Sequence, residues 1–196
     1  MSQPSSAPAT SGPRARTRRA ILDAAVSTLS KDVSASLGEI AKVAGVGRTT
    51  MHRYFPERSD LLIALTADAD EHVNAAYERA RLADGPASAA LSRLCQELFE
   101  LGETLQLLFN NPQLLTGTPW ENDSESDPEL VQLFERGRAD GTLDPELDVD
   151  WAQQVFWALL YAAWMHALDS CVPKHTVLNQ CLRTLTKTFG NADQGS

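Results

Sequence analysis

The chain has 196 residues, 43% of them hydrophobic and 22% charged, and a net charge of −9. This composition fits a globular protein and excludes a low-complexity or collagen-like chain. No apolar run reaches the ~18–20 residues of a bilayer-spanning helix, and residues 1–13 have neither the charge nor the apolar stretch of a secretory signal, so a cytoplasmic protein with no membrane partner is expected.

The acidity is unevenly distributed. Over residues 14–58, nine basic residues stand against four acidic ones, a local net of +5, which leaves −14 for the remainder. A basic head on an acidic body suits a nucleic-acid-binding module whose other part repels phosphate. Cys95, Cys171 and Cys181 have no CxxC spacing, and His72, His166 and His175 lack metal-ligand spacing. Buried thiols are expected, with no disulfide framework, no metal and no cofactor. A Gly-rich phosphate loop, a GxSxG elbow and a Cys–His nucleophile pattern are all missing from the sequence, so an enzyme is not expected.

In chain order, residues 1–13 are Ser, Pro, Ala and Gly without periodicity and read as a disordered arm. Ile21, Leu22, Ala25, Val26 and Leu29 give a first helix over Arg14–Ser30, basic in its leading turn. Ser36 and Glu39 fit a capping box, so a second helix starts near Leu37 and runs to Ala44. Gly45-Val46-Gly47 breaks it. A short third helix spans Arg48–Tyr54 and Pro56 stops it. A long helix follows from Ser59 to Arg81, expected to be the only continuous element touching both halves of the molecule. One helix is expected over Ala87–Phe109, an acidic loop over residues 116–128, and a helix over Pro128–Arg138. Two long helices close the chain, about 148–170 and 174–189. The fold class is all-α, with an arm at 1–13, a basic helical module at 14–58, a larger helical domain at 59–190, and a tail at 191–196.

The segment Leu37–Phe55 carries the function. Ile40, Ala41 and Ala44 face inward from the first helix of a pair, Gly45 makes the turn, and Val46 plugs the angle. Met51 and Phe55 pack the second helix back. Arg48, Thr49, Thr50, His52 and Arg53 remain outward near the start of that helix. This is helix-turn-helix geometry, in which the second helix reaches base edges in the major groove.

Over Arg14–Leu65 the sequence resembles the tetracycline-repressor (TetR) family of regulators. Glu39, Ile40, Ala41, Ala44, Gly45, Val46, Thr50, Tyr54 and Phe55 match the family pattern, and Arg58, Leu61 and Leu62 match the start of the next helix. Gly47 stands where the family commonly has Ser, a better cap, and His52 where it usually has Tyr. The expected DNA contacts are Arg48, Thr49, Thr50, His52 and Arg53 on the recognition helix, Tyr54 and Arg58 at the DNA backbone, and Ser36. The resemblance implies a second domain holding an effector pocket and a dimer interface. Phe99, Phe109, Trp120, Phe134, Trp157, Tyr161, Trp164 and Met165 are the candidate lining, which implies a small lipophilic effector. Leu159, Ala162, Ala163, Leu178, Leu182 and Leu185 form the stripe expected in a four-helix homodimer interface. The resulting expectation is a repressor on a near-palindromic double-stranded DNA operator. An activator, or a helical adaptor that binds no DNA, stands beside it as an alternative.

Overall fold

A computed structural model describes residues 12–122, 127–169 and 172–191. Most of the expected arm and tail, Cys171 and the middle of the acidic loop lie outside the described residues. Those residues form nine α-helices: α1 (Pro13–Leu29), α2 (Leu37–Val43), α3 (Arg48–Tyr54), α4 (Arg58–Ala80), α5 (Ala87–Phe99), α6 (Gly102–Asn110), α7 (Pro128–Ala139), α8 (Val149–Asp169) and α9 (Lys174–Phe189). Two short 3₁₀ turns, Pro112–Leu114 and Pro119–Asn122, sit between α6 and α7.

Local chemistry sets the first elements. Ser36 caps α2: its hydroxyl accepts from the Glu39 N–H, and the Ser36 N–H donates to the Glu39 carboxylate at 2.7 Å. These reciprocal bonds satisfy donors that a helix start leaves open. Gly45 sits at φ +67°, a left-handed value that costs glycine little. The chain therefore reverses tightly, and the Val46 N–H donates back to the Ala41 carbonyl at 2.9 Å. Ile40, Ala41, Met51 and Phe55 are buried, as their spacing predicts.

The helix expected over Ala87–Phe109 is instead two. It breaks at Glu100–Leu101, where Leu101 leaves helical backbone at ψ 4°. The break lets α6 turn toward the head while α5 stays in the body. At the bend, a Cβ on Gly102 would lie 2.4 Å from Trp164 Cδ1. Only a residue without a side chain permits that approach, and the Trp164 indole N–H then donates to the Phe99 carbonyl at 3.1 Å. This bond satisfies an acceptor freed where α5 ends.

There are two apolar cores. One joins Ile21, Leu22, Leu29, Ile40, Met51, Leu61 and Leu65 to Leu107 and Leu108 of α6. The other gathers Ala76, Tyr77, Leu91, Leu94, Leu98, Phe134, Phe156, Leu160 and Phe189. The helix α4 enters both cores. It is not the only such element: Leu105 of α6 lies in the body core, while Leu107 and Leu108 lie in the head core. Cys95 of α5 and Cys181 of α9 are free buried thiols, their Sγ atoms 3.7 Å apart.

Candidate DNA-binding and effector sites

The recognition helix α3 offers an open polar face. Arg48, Thr49, His52 and Arg53 are exposed and Thr50 is half-buried. Gly47 precedes the helix without a side-chain cap, as its residue type implies. His52 Nδ1 lies 3.2 Å from the Pro56 carbonyl, so one ring nitrogen is engaged within the chain. The Arg53 guanidinium sits 5.7 Å from the Tyr54 ring centroid. Tyr54 is half-buried, and its hydroxyl donates to the Arg14 carbonyl at 3.2 Å, tying α3 to the start of α1.

Three basic or polar side chains of the head are occupied within the chain. Arg58 is half-buried and donates to the carbonyls of Ala35 and Val33, so it braces the turn before α2 instead of standing free for phosphate. The Ser36 hydroxyl is spent on the cap. Arg19 donates to both oxygens of Asp68 on α4, at 2.9 and 2.8 Å, and to Asp23 at 2.5 Å. These acids hold its guanidinium more firmly protonated. No local pattern predicts this strap between α1 and α4, because Asp68 is 49 residues from Arg19.

Within the body, four of the candidate aromatics converge where α6 meets α8. Phe109 packs edge-on to Trp157, centroids 6.1 Å apart, and lies 6.5 Å from Trp164. The Tyr161 hydroxyl donates to Asn110 Oδ1 at 2.6 Å. Met165 is half-buried one residue after Trp164. Phe109 stays 45% exposed, so the cluster opens to the surface. The other candidates are engaged elsewhere. Phe134 is fully buried against Phe189, centroids 5.2 Å apart. Phe99 is buried in the same core. The Trp120 indole N–H donates to Asp70 of α4 at 2.6 Å. A cavity of about 320 Å³ lies between α1, α4 and α6, lined by Arg19, Asp23, Asp68, His72, Glu100 and Glu103 among others.

The stripe on the last two helices divides. Ala163 and Leu185 are buried in the chain's own core, while Ala162 is exposed and Leu159, Leu178 and Leu182 are half-buried. Trp151, one of the most open large apolar residues at 61% exposure, begins the same helix. Among the described residues no group of three or more His, Cys, Asp or Glu is placed to hold a metal ion, and no helix is long and apolar enough to cross a membrane.

Residues 21–65 match the family model described as bacterial regulatory proteins, tetR family. The chain is 42% identical over 185 residues to the HTH-type transcriptional repressor LfrR of Mycolicibacterium smegmatis, covering 90% of this chain and 92% of that protein. Its fold is similar to the crystal structure of LfrR from Mycobacterium smegmatis in complex with proflavine, with a TM-score of 0.72 and 38% identity over 89% of this chain and 97% of that one. It is also similar in fold to the ketosteroid regulator KstR2 of Mycobacterium tuberculosis, with a TM-score of 0.70 at 16% identity, over 88% of this chain and 94% of that one. The chain belongs to the TetR family of bacterial regulatory proteins.

Proposed function

We propose that the protein is a homodimeric transcriptional repressor, acting in the cytoplasm and released from its operator by a flat lipophilic effector. The observation that carries the DNA-binding part is the open face of α3. Arg48, Thr49, His52 and Arg53 are exposed there, and among the described residues no carboxylate is ion-paired to Arg48, His52 or Arg53, on a helix braced from behind by Met51 and Phe55. A recognition helix needs this combination of a rigid back and a free polar front. Residues 14–58 act as the DNA-binding unit and residues 59–190 as the effector and dimer unit. Arg58 serves that unit as a brace, and Ser36 as a cap.

The effector site is the cluster of Phe109, Trp157, Tyr161 and Trp164. Edge-on and tilted rings around an open side suit a flat aromatic guest, and the LfrR relative was crystallised with proflavine, a flat aromatic compound. The repressor LfrR shares most of this chain's length, which favours repression over activation. Switching requires the effector to prefer the conformation that does not fit DNA. The helix α6 is the shortest route for it. Phe109 sits beside the guest, and Leu107 and Leu108, two residues and one residue before it, sit in the head core.

A mobility-shift titration with the DNA upstream of the protein's own gene tests this reading. A discrete complex that dissolves on adding the effector is the expected result. Equal binding to that DNA and to unrelated DNA would reject it.

A further inference from the structure

The seam between α5 and α9 holds two thiols face to face. On α5, Cys95 follows Leu91 by four residues and precedes Leu98 by three, so helical spacing turns it into the body core. On α9, Cys181 stands four residues from both Val177 and Leu185, on the buried stripe of that helix. The two helices pack together, and the Sγ atoms meet at 3.7 Å although 86 residues separate them in the sequence. A disulfide is ~2.0 Å long, which leaves about 1.7 Å to close. That step is within the swing of two Cβ–Sγ bonds and asks neither helix to move far.

The two thiols are not equivalent. Cys95 is fully buried, whereas Cys181 keeps 5% of its surface. The Cys181 thiol donates weakly to the Leu159 carbonyl of α8 at 3.8 Å, which leaves its sulfur to accept from the Cys95 thiol. That second hydrogen bond holds Cys181 below the usual thiol range, although burial opposes it. The same bond, and then burial, keep Cys95 protonated. The more open and more easily ionised thiol of a pair is the one that meets an oxidant first. Hydrogen peroxide is scarcely larger than water and needs only a narrow approach. Cys95, at contact distance behind Cys181, is then placed as the resolving thiol.

We infer that Cys95 and Cys181 are a redox modification site, converted by hydrogen peroxide to a reversible disulfide within the chain. In the first step the Cys181 sulfur attacks the peroxide. An S–O bond forms, the O–O bond breaks, and the thiol proton leaves with the departing oxygen as water, so Cys181 becomes a sulfenic acid. The Cys95 sulfur then attacks Cys181 Sγ. The S–S bond forms, the S–O bond breaks, and a second water carries off the Cys95 proton. Two thiols are oxidised and one peroxide is reduced to two waters. The bond ties α9, which also carries Leu178 and Leu182 of the proposed dimer stripe, to α5 of the same chain. A transient disulfide of this kind suits a redox-responsive protein better than a structural one. The site depends on neither the DNA-contact nor the effector assignment above.

Treatment of the folded, fully reduced chain with excess hydrogen peroxide, followed by non-reducing peptide mapping, tests the inference. A peptide pair joining Cys95 to Cys181 should appear, about 2 Da lighter than its two reduced halves for the thiol hydrogens lost. Dithiothreitol should return both thiols, and Cys171 should stay out of the crosslink. Cys171→Ser should give the same pair. Cys95→Ala removes the resolving thiol, so Cys181 should gain oxygen in place of the crosslink. The map of the unaltered protein needs no variant to fold. Cys95 and Cys181 both left as thiols, a crosslink through Cys171, a crosslink between chains, or oxygen added to Cys181 of the unaltered protein with no crosslink would each overturn the assignment.

Discussion

Arg48 and Thr49 stand exposed in the first turn of α3, whereas Arg19, Ser36 and Arg58 spend their polar atoms inside the chain. The side chains free to read DNA are therefore fewer than the basic count suggests. Arg48→Ala should cost about 1–3 kcal/mol at one base position and relax specificity there, as measured by binding titration against single-base variants of the operator at fixed salt. Gly47 is a weaker test of the same helix. A Cβ there would meet nothing within 4 Å, so Gly47→Ser should add a cap and raise stability by a few tenths of a kcal/mol, read from urea midpoints. The cap on α2 also sets a pH signature. The Ser36 N–H, and then its hydroxyl, hold the Glu39 carboxyl below its ordinary value of 4.5. A carboxyl lowered in the folded state stabilises above its unfolded value, and that contribution fades as pH falls through the folded value. Glu39→Gln should thus be less stable than wild type at about pH 7, with the difference shrinking as the pH falls below the carboxyl's ordinary range, in paired urea titrations.

At the scale of elements, α2 and α3 were legible because their signals are local: Ser36 three residues before Glu39, a glycine at the turn, and Pro56 after the end. The break between α5 and α6 was not. Leu91, Leu94, Leu98, Leu101, Leu105 and Leu108 keep helical spacing straight through it, and what bends the chain is tertiary, the seat of Trp164 on Gly102. The same blind spot hid the bridge from α6 into the head. It also hid the fate of Phe134, which local pattern cannot tell from a pocket residue and which the fold buries against Phe189. Leu108 is 0% exposed in the head core. Leu108→Ala should therefore cost roughly 2–5 kcal/mol of stability, measured by chemical denaturation, although it lies outside residues 14–58. A smaller loss would mean that α6 rests on the head without supporting it.

For the whole molecule, the proposed dimer follows from what α8 and α9 leave open. Ala162, Leu159, Leu178 and Leu182 remain accessible in the single chain, while Ala163 and Leu185 are consumed by its own core. Leu182→Glu should leave helical content intact and yield a 21.4 kDa species by light scattering. It should also abolish tight DNA binding, because a lone recognition helix reads one half-site. In the proposed dimer, the acidic body and basic head should orient the encounter so that DNA meets only the basic end.

The central claim is that DNA binding and effector binding are coupled through this one chain. Its most direct test is anisotropy of a labelled near-palindromic operator, titrated with the protein at fixed salt with and without saturating proflavine. Wild type should lose about 5–150-fold in affinity when the dye is present, the range that a coupling of ~1–3 kcal/mol gives. Trp157→Ala, at the same dye concentration, should bind operator as tightly as it does without dye, which separates release through the protein from any action of the dye on DNA. Equal loss of affinity in wild type and Trp157→Ala, or no loss in either, would contradict the account.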